Sequence, residues 1–356
     1  MGKGVKPLNT APRGNECFRR DEDFDPPDPL EVQWPCHEFK GHTKLVKGII
    51  HLPGGQRIIT CSVDGSLRVW NLKSGRQIGA DWRDSDSPVN TIASSPDGKK
   101  IVSGSGDGAV RLWDIDTGKV IAKLAGHTDR VSSVCWNRDG RRMVSGSEDG
   151  TARVWDDGKI ILGPIKTGLT NVKAVIYSPD MTMIATGGHS KKKQFIKIWD
   201  ANTAKLIIHL KGHTLSVHCL AQTVDGKTLI SGSYDGSIRT WNTTTWEQIA
   251  VFTEYTGSVY GIAISPNGRI LASALSDRTV RLWDLEDGEP ISLPLYHASA
   301  VTCVSFSTDG RILATGCKDK NAYTWNISKI VSKAGFADIL LDFNVSQHEY
   351  LHSVQY

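Results

Sequence analysis

Four sets of residues in this chain carry the side chains of a hydrolytic centre, an Asp, a His and a Ser or Thr. They are His42, Thr60 and Asp64; His127, Ser145 and Asp149; His213, Ser231 and Asp235; and His297, Thr315 and Asp319. Nucleophilic catalysis needs an exposed hydroxyl, a base beside it and donors placed for the oxyanion. A set that recurs four times within strand-like sequence, with no G-x-S-x-G elbow, reads as scaffold chemistry. Gly226-Lys227-Thr228 echoes the end of a phosphate loop. Ala221 stands where that motif needs its first Gly, and the triplet leads into a strand-like run rather than a helix. Gly104-Ser105-Gly106-Asp107-Gly108 is a hairpin for the same reason. No H-E-x-x-H, Cys/His cluster or EF-hand loop occurs, so the sequence predicts no metal, no cofactor and no enzyme.

Two basic patterns remain. Arg68, Arg111, Arg153, Lys197, Arg239 and Arg281 each stand two places before a Trp. A cation on a periodic slot belongs to the repeat and not to a nucleic-acid stripe. Lys191-Lys192-Lys193 breaks the period. It supports a secondary reading as a nucleic-acid contact, whose affinity would fall steeply with salt. The net charge of +4 over 356 residues is far below a nucleic-acid-binding balance.

The elements that position these residues follow from one rhythm. Trp70, Trp113, Trp155, Trp199, Trp241, Trp283 and Trp325 recur every 42 to 44 residues. A period of roughly 40–45 residues built from short strands indicates radial blades. Within one period, Val120–Leu124, Val131–Trp136, Arg142–Ser147 and Thr151–Trp155 read as strands. Asp139-Gly140 and Asp149-Gly150 join them by tight hairpin turns. Each unit is therefore a meander of strands a, b, c and d from the centre outward. Antiparallel order puts the d–a loops and the b–c turns on one face, called the top here. Seven a-b-c triplets follow Gly41-His42, the last lacks its outer strand, and an orphan strand near Gln33–Phe39 precedes the first. The economical arrangement uses that N-terminal strand to complete blade 7 and close the ring, removing exposed edges.

The rest of the chain adds bounds. The repeat spans residues 31–326, with a 1–30 tail that lacks periodicity and reads as disordered. Residues 327–356 hold short amphipathic helices: Ile327, Ile330, Val331 and Ala334 fall at helical spacing, and Phe336, Ile339, Leu340 and Phe343 resume it. They pack under the ring or dock a partner. The seven cysteines show no CxxC pair, and Cys135, Cys219 and Cys303 share one repeat slot, as small buried hydrophobes do. No apolar run reaches the ~18 residues a membrane helix needs, and the start lacks a secretory h-region. A cytoplasmic or nuclear protein with no membrane partner is expected.

These Gly-His starts, Asp turns and Trp-Asp or Trp-Asn ends strongly resemble the WD-repeat β-propeller family. The resemblance implies an all-β, seven-bladed β-propeller and a buried hydrogen-bonded tetrad in each complete blade. It assigns those tetrads to His42, Thr60, Asp64 and Trp70; His127, Ser145, Asp149 and Trp155; His213, Ser231, Asp235 and Trp241; and His297, Thr315, Asp319 and Trp325. Units two and six carry Ser85 and Tyr255 in the His position. In unit four Gly168 replaces the His, and a longer loop, His189–Lys193, replaces the Asp turn. Members of the family act mainly as platforms, with the top rim near the channel as the commonest docking surface.

Three slots per blade face that rim. The first gives Lys47, Asn90, Ser132, Lys173, His218, Tyr260 and Thr302. The second gives Leu45, Pro88, Arg130, Asn171, Ser216, Ser258 and Ala300. The third gives Val63, Gly106, Glu148, Lys192, Tyr234, Ser276 and Lys318. Lys47, Arg130, Lys173, Lys192 and Lys318 outnumber the single acid, Glu148, and His218, Tyr234 and Tyr260 add anchoring groups. The expectation is a monomeric, non-enzymatic scaffold within a multiprotein complex, gripping an acidic or phosphorylated protein segment on its top face. A ubiquitin-ligase substrate receptor is an alternative, which the absence of Trp-Asp-x-Arg at any blade end disfavours.

Overall fold

The turn dipeptides set the geometry of every blade. Gly150 takes φ +79°, and a Cβ there would lie 2.7 Å from the Leu169 carbonyl of the neighbouring blade. Glycine suits such a close, left-handed turn, although Arg278 and Lys320 take the same position in blades 6 and 7 with φ +71° and +78°. The preceding Asp149 accepts from the Thr151 N–H at 2.8 Å, an Asx turn that fixes where strand c starts.

In a computed structural model, residues 33–253, 257–336 and 338–339 are described. They form seven four-stranded antiparallel sheets. Blade 3 shows the pattern: a Val131–Trp136, b Arg142–Ser147, c Thr151–Asp156 and d Lys159–Lys166. Its register places Ser145 opposite Val134 on one side and Arg153 on the other. The fold is an all-β, seven-bladed propeller. Tyr255, the 1–30 tail, Leu340 and Phe343 lie outside the described residues.

The core is a ring of layers between blades. Side chains of strands b and c on one blade meet strand a of the next, as Val144 and Val154 meet Val172 and Val175. Glycine in strand b makes this approach close. A Cβ on Gly146 would lie 2.6 Å from Val172 and Val175, and one on Gly232 would lie 2.6 Å from Val259. Gly316 makes the equivalent approach to Val46, joining blade 7 to blade 1. The recurrent Ser-Gly-Ser and Thr-Gly-Cys runs are thus packing requirements.

Blade 7 takes its outer strand from the start of the chain. His37–Phe39 pairs antiparallel with Ala322–Asn326, with His37 opposite Thr324 and Phe39 opposite Ala322. The Cys36 N–H extends the ladder to the Thr324 carbonyl at 2.6 Å. This strand is shorter than the Gln33–Phe39 read from sequence. Pro35 has no N–H to donate, so the ladder ends at Cys36. Trp34 is 76% exposed, whereas Phe39 is 1% exposed and meets the Trp70 ring at 5.6 Å.

Past blade 7, helix α1 (Ile327–Lys333) is capped by the Asn326 side chain, which accepts from the Lys329 N–H. Ile327, Ile330 and Val331 are buried in the layer holding Leu313 and Trp325, with Ile339 and Phe336 against it. The Asn267 amide donates to the Ile339 carbonyl at 2.9 Å. The described part of the C-terminal segment therefore lies on the propeller.

Candidate functional site

The Asp, His and hydroxyl sets resolve first, because they decide whether the molecule holds a nucleophile. In blade 3 the Trp155 indole donates to Ser145 Oγ at 2.8 Å, His127 Nε2 lies 2.8 Å from the same oxygen, and His127 Nδ1 lies 2.9 Å from Asp149. Blade 1 repeats this through Trp70, Thr60, His42 and Asp64, and blade 5 through Trp241, Ser231, His213 and Asp235. Ser145, Thr60 and Ser231 are fully buried, so none can meet a substrate. Burial alone would raise the Asp64 carboxyl, but hydrogen bonds from His42, Ser66 and Thr43 outweigh it and hold the group well below the ordinary range. These networks tie strand b, strand c and the d–a loop of one blade together. Ser145→Ala strands an indole N–H and a ring nitrogen, and is expected to cost about 1–3 kcal/mol in urea unfolding. A loss under ~0.5 kcal/mol would contradict a structural role.

Blade 7 corrects the fourth set. His297 Nε2 does reach Thr315 Oγ1 at 2.9 Å, and Trp325 donates to Thr315 at 3.2 Å. His297 Nδ1, however, turns to the Leu295 carbonyl at 3.0 Å, while Asp319 accepts from the Tyr323 hydroxyl at 2.7 Å. A Tyr in strand c offers the Asp a nearer donor, so the network holds three members rather than four.

Two of the blades without the His, 2 and 4, fill its place with the periodic cation. In blade 2, Arg111 is 2% exposed and fills the space beside Ser85. Its guanidinium donates to Ser85 at 3.2 Å, to both Asp107 oxygens at 3.0 and 2.6 Å, and to Asp84 at 2.6 Å. Trp113 still donates to Ser103 at 2.8 Å. In blade 4 the Lys197 ammonium occupies the region beside Gly168 and donates to the Thr167 carbonyl at 2.6 Å, while Trp199 donates to Thr186. Sequence reasoning placed both cations in the repeat but missed this exchange of roles. The legible signal was an acidic Asp84-Ser85 pair beside the Arg111 slot.

What remains is a pocket of about 570 Å³ at the top of the channel. It is lined by Leu45, Lys47, Val63, Pro88, Asn90, Arg130, Ser132, Glu148, Lys173, His218, Tyr234, Tyr260, Thr302 and Lys318. All fourteen occupy slots that the sequence assigned to the rim. Seven come from the second residue of strand a or its equivalent in each blade, so the ring converges them. Seven other assigned residues are not in that lining: Asn171, Ser216, Ser258, Ala300, Gly106, Ser276 and Lys192. The longer b–c loop turns through Ser190–Lys193 and carries Lys192 off the channel, where its charge bears on Lys197.

The pocket has two chemistries. On one wall the His218 ring packs tilted against Tyr234 at 4.2 Å between centroids, and Tyr260 meets Tyr234 edge-on at 5.7 Å. The Lys318 ammonium lies 5.0 Å over the Tyr260 ring, a cation–π contact. On the other, Lys173 and Glu148 form an ion pair at 2.7 Å. Lys47 stands between. Its ammonium is pushed to lower pKa by burial first, then by the charges of Lys173 and Lys318. Burial, reinforced by Lys173 and Lys47, lowers His218 to about 3, leaving it a neutral ring at physiological pH. Among the described residues no cluster of three His, Cys, Asp or Glu side chains could hold a metal.

Ring, repeat and rim together define a propeller suited to protein–protein interaction. The WD40 repeat model (WD domain, G-beta repeat) matches residues 33–71, 78–114, 118–156, 204–242, 246–284 and 289–326, and the chain belongs to that family. The interval between 156 and 204 is unmatched and holds strands a to c of blade 4, where Gly168 and the His189–Lys193 loop depart from the pattern. Striatin from Mus musculus is 24% identical over 219 residues, 61% of this chain and 23% of striatin. Ribosome biogenesis protein YTM1 from Ajellomyces capsulatus is 28% identical over 209 residues, 58% of this chain and 40% of that protein. Periodic tryptophan protein 2 from Arabidopsis thaliana is 35% identical over 69 residues, 19% of this chain and 7% of its own. The chain thus spans well under half the length of these relatives.

Proposed function

We propose that this protein is a non-enzymatic scaffold whose top-face pocket holds an acidic or phosphorylated segment of a partner protein. One observation carries the reading: Lys47, Lys173, Lys318 and Arg130 converge on a single pocket that contains one carboxylate, Glu148. Like charges gathered in a partly desolvated space raise one another's energy, and an anion relieves that cost. The tyrosine wall supplies the large rigid surface that anchors interfaces. Membership of a larger assembly, inside the cell, accords with relatives named for ribosome biogenesis.

The test is partner capture by the intact protein, followed by mass spectrometry and a binding titration with the partner recovered. Lys47→Glu combined with Lys318→Glu is expected to weaken binding at least tenfold and to leave the fold intact, since both side chains end in the pocket. Unchanged capture would refute the reading. A nucleic-acid role predicts instead a steep salt slope that depends on Lys191–Lys193 and survives the double substitution.

A further inference from the structure

We propose that Glu148 is a selectivity gate: it occupies Lys173 as a ligand carboxylate would, so that the pocket admits a phosphoserine or phosphothreonine side chain of a partner protein and turns away Asp and Glu. This rests on the pocket reading given under Proposed function and narrows it to one ligand chemistry.

The argument begins from the Lys173–Glu148 pair, 2.7 Å long, with side chains only 26% and 23% exposed. Any anion that engages Lys173 competes with Glu148 for its charge. A partner carboxylate would offer Lys173 one monoanion in place of another of the same geometry. The exchange gains nothing. A phosphomonoester carries about −1.5 to −2 charges at neutral pH and three acceptor oxygens. Three ammonium groups, Lys47, Lys173 and Lys318, and the Arg130 guanidinium face one carboxylate in the pocket, a surplus of three positive charges of which a dianion meets more than a monoanion does. All three lysine side chains line the one pocket, and the charges of Lys173 and Lys318 bear on Lys47.

The remaining walls argue for a protein-borne phosphate. Tyr234 is 42% exposed at the mouth, and Leu45, Val63 and Pro88 line the opposite side, giving apolar contact to residues flanking the phosphate. A free phosphate would use the lysines alone. Lys318 is available because its present contacts are a ring face and the Tyr260 hydroxyl at 3.5 Å, both weaker than an ion pair.

His218 offers a local readout. Its ring lies against Tyr234 in the pocket wall, and its low pKa reflects Lys47 and Lys173 in addition to burial. A dianion between those lysines raises that pKa. The probes are a blocked Gly-phosphoserine-Gly peptide, the matching aspartate peptide and inorganic phosphate, titrated into the intact protein while the His218 ring resonances are followed.

With the native protein, the phosphoserine peptide is expected to saturate the His218 shift, the aspartate peptide to bind at least tenfold more weakly, and inorganic phosphate more weakly than the phosphopeptide. In Glu148→Gln the aspartate peptide gains affinity at least fivefold, and the preference for phosphoserine narrows. Equal binding of the two peptides to the native protein, or a preference unchanged in Glu148→Gln, overturns the gate while leaving an anion pocket standing. Inorganic phosphate binding as tightly as the phosphopeptide overturns the protein-borne ligand. No response to any probe in either protein refutes the pocket reading itself, and the gate with it.

Discussion

Phe39→Ala is expected to remove about 3–5 kcal/mol of stability, more than any other single truncation on the rim of blade 7. The residue is 1% exposed and sits in a layer with Val46, Ile49, Ile58, Trp70, Ala314 and Ala322. Blades 1 and 7 both contribute to that layer, so the cavity would open where the ring is joined. The strand around it is only three residues long, with one further ladder bond from Cys36, and has little else to hold it. Loss of the ring contact therefore threatens the strand as a unit and exposes the edge of Ala322–Asn326 to pairing with other chains. Urea unfolding followed by Trp fluorescence reads the stability, and size-exclusion chromatography reads the association. Trp34→Ala, on the exposed side of Pro35, is the matched control and should stay within ±0.5 kcal/mol. Equal midpoints for Phe39→Ala and the native protein would show that the joint carries no weight.

The second large effect is loss of stability on mild acidification. His51 is buried, its Nδ1 lies 3.2 Å from Ser305 Oγ, and Nε2 has no hydrogen-bond partner among the described residues. Burial lowers its pKa from the ordinary 6.5 to about 4, with Asp309 opposing weakly. His297 is lowered to about 4 by burial, against the pull of backbone groups at Leu295 and Arg278. A depressed His binds its proton in the unfolded chain before it does so in the folded one. Its contribution is therefore fully present above pH 6.5 and is lost as pH falls toward 4. Each pKa unit is worth about 1.4 kcal/mol, so His51 alone forfeits about 3 kcal/mol across that window. Asp64 and Asp235, held below the ordinary carboxylate range, add a further loss only below about pH 3.8. Urea midpoints at pH 7, 6, 5 and 4.5 should fall steadily, and His51→Phe should flatten the slope by about one proton. A flat profile down to pH 4.5 would rule out this linkage.

The propeller was legible because its signals are local and repeated. Each Trp, each Asp-Gly turn and each Gly of strand b answers to packing within one blade or against the next, so the same residues recur at the same interval. The pocket was legible for a related reason. The ring converts one position per strand into a circle around the channel, and slot numbers then name the lining residues. Pairwise choices among those residues were not legible. His297 turned to a backbone carbonyl because Tyr323 reached Asp319 first. Lys192 left the rim because a longer loop re-aimed it. The Lys173–Glu148 pair joins neighbouring blades across 25 residues, and nothing in the repeat marks it. Arg111 and Lys197 entered the His positions for the same kind of reason: a side chain two residues before the Trp is long enough to reach an emptied place, and the pattern records only its charge.

The three-residue strand at the start of blade 7 has a consequence for biosynthesis. A ribosome that has made Phe39 must still translate about 280 residues before Ala322 exists to receive it. At roughly 5–20 residues per second this is about a quarter of a minute to a minute. By the end of that interval six finished sheets stand as an open arc, with the apolar edges of the first and sixth bare to solvent. The nascent chain is thus most vulnerable just before the Ala322–Asn326 strand is made, and factors that shield hydrophobic surface have their greatest value at that moment.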